Sequence, residues 1–414
     1  MTTSSTGPTN PNVIPVTATL LGTIAIQTAV PPFATDMYTP AFPLVTTDLG
    51  TEASLIGLTL TAFFLGFGLG QLIGGPLSDQ RGRRTPILVG GIICTLGAIG
   101  CALAPTVWFL IVARVIQGLG GGVAAAVARA VIVDVAHGDM LAKVMSVMQA
   151  IGGLAPMVAP VVGALVITVS SWRAVFWTLV GFGMLMVISA WRFIPETLPP
   201  ERRHAGGLKK SMSGVGEVLR IRPFVGYMLT SVLSGFTMMA YIANSSYVLQ
   251  VMKGMDPIPF SLFFASTALS QVMLSVLNAR LIGRFRPRAL VAVGLSSSVV
   301  AVAALSVGVL FFDTPLVLTC AGFLVLMASA AFIFGNSGAM AAMRATHVAG
   351  SAAAVQGVAM SLAMAIAAPL ASSGGGETAV PMIIVMLVGV LGSISSFVFL
   401  TRASTGLPLA TSTD

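Results

Sequence analysis

Two charged side chains lie inside segments that are otherwise apolar enough to span a membrane, and they carry the clearest chemistry. Asp36 follows two prolines in the stretch PPFATDMYTP at 31–40, and Arg114 lies about two turns into a long apolar run. A charge at the bilayer centre costs about 2.5–3.5 kcal/mol on insertion scales, so such residues usually serve a function. The pair suggests a proton site at Asp36 with Arg114 as its electrostatic partner.

Each assignment has a structural alternative. The prolines around Asp36 prevent a regular helix and could open the backbone toward a cavity, which suits a carboxyl group that binds and releases a proton. The alternative is that Asp36 only caps a broken helix at the membrane interface. Arg114 keeps its proton and must face a cavity, a carboxylate or carbonyl oxygens, so its alternative role is a clamp between helices.

The elements that position these residues are transmembrane helices. Of the 414 residues, 56% are hydrophobic and only 8% are charged, whereas about a quarter of residues are charged in a soluble domain. This composition excludes a soluble globular protein, a coiled coil and a disordered chain. The apolar segments indicate twelve helices, at 13–36, 51–75, 85–104, 106–130, 140–168, 172–194, 222–250, 257–282, 288–312, 315–342, 349–372 and 379–401.

The twelve helices fall into two sets of six. The predicted fold is an all-α integral membrane protein with two pseudo-symmetric six-helix bundles, residues 1–194 and 222–414, joined by a polar linker at 195–221. Similar short basic loops at 75–84 and 278–288 indicate an internal repeat. Positively charged residues mark cytoplasmic loops, and 18 of the 21 Lys and Arg lie on one side, two on the other, with Arg114 between them. Both termini are therefore expected in the cytoplasm.

The sequence gives little support for dinucleotide binding, ATP use or intramembrane catalysis. The glycine runs at 66–70 and 118–122 follow no strand, so they indicate close helix packing and not a dinucleotide site. The chain has no GxxxxGK[ST] motif, no HExxH motif and no Ser/His pair at membrane depth, so neither ATP use nor an intramembrane enzyme is expected. We expect no cofactor, no metal site and no nucleic-acid partner.

Three motifs resemble those of the major facilitator superfamily. The stretch GPLSDQRGRR at 75–84 resembles its signature after helix 2, and RVIQG at 114–118 resembles its helix 4 signature. The stretch GGLAPMVAPVVG at 152–163 is similar to the helix 5 motif of its drug:proton antiporters. Two further stretches, TDMYTPAFP at 35–43 and AGSAAAVQG at 349–357, resemble the bicyclomycin and chloramphenicol resistance branch.

The resemblance implies roles for individual residues. Asp36 matches an acid linked to proton or substrate binding, and Arg114 matches an arginine near it. The loop signature implies a latch for the outward-facing state, in which Asp79 lies at the start of helix 11 near Gly350 and Arg83 meets Asp134. The alternative is that the loop arginines only fix topology. The latch and the helix 5 motif together comprise Gly75, Asp79, Arg83, Asp134, Gly152, Pro156, Pro160 and Gly163.

A substrate pocket is expected to be apolar with a few polar contacts, although these side chains equally suit packing or lipid contact. Its candidates are Phe33, Tyr38, Met238, Tyr241, Asn244, Tyr247, Phe334 and Asn336. Some relatives have a second acid two turns before the first, where this chain has Gln27 and Thr28. A single carboxyl then predicts competition between proton and substrate, and favours neutral or weakly charged substrates.

The function predicted from these features is proton-driven export of small amphipathic compounds, including antibiotics, across a bacterial inner membrane. The transporter is expected to be a monomer powered by the proton gradient. The alternative is a proton-coupled transporter of one metabolite, such as a sugar, an amino acid or a siderophore. A receptor with a transporter fold is a third class, but the short tails carry no signalling domain.

Overall fold

The computed structural model describes residues 17–136, 138–203, 216–345 and 349–401. Helices dominate these ranges. Short 3₁₀ turns at Thr39–Ala41 and Pro200–Arg202 and π-helical segments at Tyr247–Met252 and Ser396–Leu400 supplement the α-helices. The α-helices are α1 Ala18–Thr28, α2 Val30–Asp36, α3 Phe42–Asp48, α4 Ala53–Arg81, α5 Arg84–Ala102, α6 Val107–Val135, α7 Gly138–Val169, α8 Trp172–Phe193, α9 Arg222–Ser246, α10 Pro257–Leu281, α11 Pro287–Phe311, α12 Leu316–Ala342, α13 Ala349–Ser372 and α14 Val380–Ser395.

The first predicted helix is a chain of short pieces. Pro31 and Pro32 lack a backbone N–H, so α1 ends before them, but they fit the first turn of a new helix, α2. The α-helix does end at residue 36, as predicted, but a 3₁₀ turn and α3, which were not predicted, extend the span to Asp48. Asp36 therefore lies at a joint inside the first span.

The second predicted helix also extends further than expected. The signature at 75–84 was expected to be a loop, but α4 continues through most of it to Arg81. Gly82 ends the helix with a φ of +87°, a backbone conformation that favours glycine. The fourth predicted helix likewise extends to Val135, which places Asp134 on the last turn of α6.

The helices have the length and composition of membrane spans. Ten helical stretches in the described ranges are long and apolar enough to cross a bilayer, and two shorter apolar helices, Ala18–Thr28 and Leu154–Val169, belong to the first and fifth predicted spans. Large apolar side chains such as Leu96, Val112 and Ile188 are about 60% exposed, as expected for surfaces that contact lipid.

The two halves, α1–α8 and α9–α14, meet along two reciprocal seams. The second span of the first half, α4, packs against α13, which is the fifth span of the second half. The fifth span of the first half, α7, packs against α10, which is the second span of the second half. This exchange of equivalent positions is the pseudo-twofold arrangement expected for an internal repeat.

Glycines allow α4 and α6 to touch backbone to backbone. A Cβ atom at Gly66 would overlap the carbonyl oxygen of Val115, and one at Gly118 would overlap that of Phe63. Gly70 and Gly122 repeat this pattern one turn further along the same seam. The predicted role of the glycine runs in close helix packing is therefore confirmed.

Candidate functional site

The Asp36 carboxyl is buried at the end of α2, and the described contact of its side chain is with the neighbouring hydroxyl. Thr35 Oγ1 lies 2.9 Å from Asp36 Oδ1 and 2.7 Å from the carbonyl oxygen of Pro31. A hydroxyl group has one proton, so Thr35 can donate to only one of these oxygens at a time. While it donates to Pro31, it can accept a hydrogen bond from a protonated Asp36. The pair therefore accommodates both states of the carboxyl.

Arg114 is fully buried, and oxygens of the backbone and of an amide hold it. Its Nη1 donates to the carbonyl oxygen of Ala34 and to Gln117 Oε1, each at 2.9 Å, and its Nε lies 3.4 Å from the carbonyl oxygen of Thr59. Nη2 has no hydrogen-bond partner in the described ranges. The guanidinium thus joins α6 to α4 and to the helix that ends in Asp36.

Aromatic rings enclose the rest of this cation. The centre of the guanidinium lies 4.8 Å from the Phe63 ring, 5.2 Å from the Tyr38 ring and 5.8 Å from the Phe176 ring. The faces of aromatic rings attract cations, more strongly where water is excluded. Tyr38, a predicted pocket residue, therefore supports Arg114 and packs against Phe42 and Phe176.

The helix 5 motif touches the joint that carries Asp36. A Cβ atom at Gly163 would overlap the carbonyl oxygen of Met37. Both Pro156 and Pro160 lie inside α7, which continues through them. The surroundings of Gly152 lie outside what the structure describes. Gly163 is therefore the motif member that brings α7 against the first span.

Arg83 is the centre of an ionic cluster at the end of the bundle that carries Arg81–Arg84, hereafter the Arg-rich end. Its Nε and Nη2 bond to the two carboxylate oxygens of Asp134 at 2.8 and 3.4 Å, and its Nη1 bonds to Asp79 Oδ1 at 2.5 Å and to Ser78 Oγ at 2.7 Å. Burial opposes the charge on Arg83, but the two carboxylates outweigh it and raise the pKa of the guanidinium. The expected contact between Arg83 and Asp134 is present.

Asp79 and Gly75, the other described members of the predicted latch, make fewer contacts than Arg83. Asp79 is about half exposed, with a side-chain exposure of 54%. The surroundings of Gly350, its expected neighbour, lie outside the described residues. A Cβ atom at Gly75 would meet no atom within 4 Å, and the carbonyl of this residue accepts a bond from Ser78.

Glu196 and Thr197 complete the ionic cluster, although the sequence only suggested a linker there. Glu196 Oε1 accepts a bond from the backbone N–H of Arg83 at 2.7 Å, and Oε2 accepts one from that of Arg84 at 3.3 Å. The Thr197 hydroxyl donates to Asp134 at 2.8 Å. The start of the linker is thus fixed to the first turn of α5 and to the end of α6.

The remaining pocket candidates lie at several places. Phe33 stacks on Phe182 with ring centres 4.7 Å apart. Met238 lines a small cavity of about 10 Å³ within the second half. Asn336 donates to Asn278 and to the carbonyl of Phe332, each at 2.8 Å, and Phe334 is half-buried. These four side chains do not converge on one described cavity.

Tyr241, Asn244 and Tyr247 share one face of α9 and its π-helical extension, because they are three residues apart. The Tyr241 hydroxyl bonds to Thr267 at 2.9 Å, and the helix that carries it packs against the turn Thr39–Ala41, just after Asp36. The Tyr247 hydroxyl bonds to Thr46 across the two halves at 2.8 Å. Asn244, between them, is fully buried. This face therefore brings predicted pocket residues of the second half close to the Asp36 joint.

Three hydrogen bonds that join the two halves lie away from the Arg-rich end. Besides the bond between Tyr247 and Thr46, Gln250 donates to the carbonyl of Pro40 at 3.1 Å, and Thr61 donates to the carbonyl of Ala365. The halves are thus closed against each other at the end opposite to the ionic cluster.

The model of the Major Facilitator Superfamily matches residues 24–368. The chain belongs to this superfamily. As a member it is a transporter of small molecules and not an enzyme, and the predicted fold is confirmed.

Two bacterial relatives and one solved bacterial structure are similar to this chain over nearly its whole length. An uncharacterized MFS-type transporter, YdgK of Bacillus subtilis, is 33% identical over 383 residues, which cover 92% of this chain and 94% of that one. A bicyclomycin resistance protein homolog of Haemophilus influenzae is 29% identical and covers 92% and 95%. The xylose transporter XylE of Escherichia coli, in a partially occluded inward-open conformation, superposes with a TM-score of 0.75 at 15% identity over 94% of this chain and 99% of that one.

Proposed function

We propose that this transporter is a proton-coupled antiporter that exports small, neutral or weakly charged amphipathic compounds across the bacterial inner membrane, with both termini in the cytoplasm. The observation that carries the proposal is the Asp36 carboxyl. It is buried at membrane depth, lies at the joint of a proline-broken span, and has a hydroxyl as its described partner. Buried carboxyl groups of this kind commonly serve proton transfer in transporters.

Thr35 supports reversible protonation. When Asp36 is ionised, the Thr35 hydroxyl donates to it, and when Asp36 is protonated, that hydroxyl donates to Pro31 and accepts from the acid. A rotation of one hydroxyl group thus follows the loss or gain of the proton. Neither state leaves the carboxyl without a partner.

Arg114 holds the protonation site in position. Its bond to the carbonyl of Ala34 fixes the turn that carries Asp36, and its bond to the carbonyl of Thr59 fixes that turn to α4. A proton and a substrate that both need Asp36 then compete for it, which is the requirement for antiport.

Alternating access would use the two ends of the bundle in turn. The bonds from Tyr247, Gln250 and Thr61 close the outer end, which suits a state open to the cytoplasm. In the outward-facing state the inner end would close, and Asp79, which is half exposed in the present state, would contact the start of α13, as the proposed latch requires. Each proton that enters with the membrane potential supplies about 2.3 kcal/mol per 100 mV, so ATP is not required.

The relatives support export of drugs as the direction of transport. The Haemophilus influenzae relative, which aligns over nearly its whole length, carries the name of a bicyclomycin resistance homolog, and a chloramphenicol resistance protein of Pseudomonas aeruginosa is 32% identical over 255 residues. These names make a phenicol a reasonable first probe.

The test is flux in proteoliposomes with an imposed pH gradient. Wild type should move chloramphenicol against protons, with a direction that reverses when the gradient is reversed, and Asp36→Asn should abolish this coupled flux. Asp256→Asn is the matched control, because Asp256 precedes α10 and makes no capping hydrogen bond. Gradient-driven flux that survives Asp36→Asn would refute the proton site, and wild-type flux that ignores the gradient would refute antiport.

A further inference from the structure

Asn244 is a fully buried amide with no hydrogen bond in the described part of the chain. Neither its Oδ1 nor its Nδ2 has a partner there, and its exposure is 0%. Asn336, by contrast, is a buried amide with hydrogen-bond partners, since its Nδ2 donates to Asn278 and to the carbonyl of Phe332. Buried amides are nearly always hydrogen-bonded, so the state of Asn244 requires an explanation.

The cost of this arrangement is highest inside a membrane. No water from the lipid can satisfy a polar group there, and a leucine of similar size would fill the same space without loss. Asn244 is nine residues before Lys253 at the outer end of this span. An amide at this depth is unfavourable for folding unless something outside the chain pairs with it.

The position of Asn244 identifies what could reach it. It lies between Tyr241 and Tyr247, and the Tyr247 hydroxyl bonds to Thr46 of the first half. The helix that carries it also packs against the turn Thr39–Ala41, directly after the Asp36 joint. Asn244 is therefore part of the surface between the halves, where a substrate that competes with the Asp36 proton would bind.

We propose that Asn244 is a specificity-determining residue that hydrogen-bonds to one donor and one acceptor of the substrate, an assignment that rests on the proposed transport function. Oδ1 accepts from an amide N–H of the substrate, and Nδ2 donates to a neighbouring hydroxyl oxygen, because the carbonyl of a trans amide points away from its own N–H. An ammonium group could satisfy only Oδ1, and a carboxylate could satisfy only Nδ2. The two bonds thus select uncharged compounds that carry an amide N–H near a hydroxyl group.

The binding test compares chloramphenicol with a derivative methylated at its amide nitrogen. Equilibrium binding to detergent-solubilised protein needs no gradient, so it separates recognition from coupling. Wild type should prefer the unmethylated compound by about tenfold, since one buried hydrogen bond is lost on methylation. Asn244→Leu should bind both compounds equally, and Asn278→Leu, the matched amide control, should keep the preference.

A stability measurement tests the same residue without any ligand. Asn244→Leu should melt at or above the wild-type temperature because it removes an unpaired polar group, whereas Asn278→Leu should melt lower because it breaks a bond to Asn336. A clear loss of stability in Asn244→Leu, an unchanged binding preference in that variant, or no binding of either compound by wild type would each overturn the assignment. Normal binding with flux that ignores the gradient would instead refute antiport and leave Asn244 as assigned.

Discussion

The carbonyl oxygen of Met37 lies directly against Gly163, with no room for a Cβ atom between them. Met37 follows Asp36, so the helix 5 motif touches the backbone of the proposed proton site. The position of α7 and the geometry of that site are consequently linked through a single backbone contact.

Gly163→Ala should disrupt this contact. The added methyl group meets a backbone oxygen, which cannot rotate away as a side chain could, and overpacking of this kind costs about 1–3 kcal/mol. We expect a lower melting temperature in detergent and slower coupled flux. Gly181→Ala in α8 is the control, because a Cβ atom there meets no atom within 4 Å. Equal melting temperatures for the two variants would contradict the contact.

Thr35→Val should slow coupled transport, whereas Thr35→Ser should retain most of it. Valine has nearly the shape of threonine but cannot form a hydrogen bond with Asp36 in either state of the carboxyl, while serine keeps the hydroxyl. Proton release on substrate addition, followed with a pH-sensitive dye, measures the step directly. Full activity in Thr35→Val would show that the hydroxyl has no part in it.

Arg114→Lys should not behave as a conservative change. A lysine ammonium is a point charge and cannot reproduce the forked contacts to Ala34, Gln117 and Thr59. We expect weaker thermal stability and loss of coupled flux, measured on the same preparation. Arg284→Lys, at an exposed position between α10 and α11, should leave both unchanged. Wild-type flux in Arg114→Lys would argue against a positioning role.

Glu196→Ala should destabilise the start of α5. The carboxylate accepts bonds from the N–H groups of Arg83 and Arg84, and loss of such a cap costs about 0.5–2 kcal/mol. Thermal unfolding in detergent is the measurement, with Glu201→Ala in the 3₁₀ turn Pro200–Arg202 as the control. A greater loss in the control would contradict the capping role.

The Asp48 carboxylate forms a contact that should be sensitive to acid, at the end of the bundle opposite to the Arg-rich end. Hydrogen bonds from Trp172 at 2.8 Å and Arg173 at 2.7 Å lower the pKa of its carboxyl. Because the folded-state pKa lies below the ordinary value of 3.8, the carboxylate stabilises the fold above that pH and less as the pH falls through the folded-state pKa. The melting temperature of wild type should therefore be higher than that of Asp48→Asn at pH 7, and this difference should disappear below about pH 4. A difference that is constant with pH would refute the contact.

Much of this architecture could be predicted from the sequence because the membrane limits the choices. Long apolar runs must be helices, and the charges within them, Asp36 and Arg114, stand out. The continuation of the first span to Asp48 was missed because prolines are read as helix ends, although they also begin new helices.

The partners of the charged residues were harder to predict. Arg114 binds carbonyl oxygens of Ala34 and Thr59, and a backbone carbonyl has no sequence signature. In the sequence Glu196 is one of several charged residues of the linker, and only the fold brings it to Arg83. Its position directly after an apolar helix, next to Pro195, was the one local signal available.

The glycine seam between α4 and α6 has a mechanical consequence. With backbones in direct contact at Gly66, Gly70, Gly118 and Gly122, no flexible side chain can absorb a displacement of one helix relative to the other. Asp134 and Arg114 are both on α6, 20 residues and thus about 30 Å apart along its axis. A shift imposed at the Arg-rich end would then reach the turn of Asp36 as a rigid-body movement, without relay through intervening side chains.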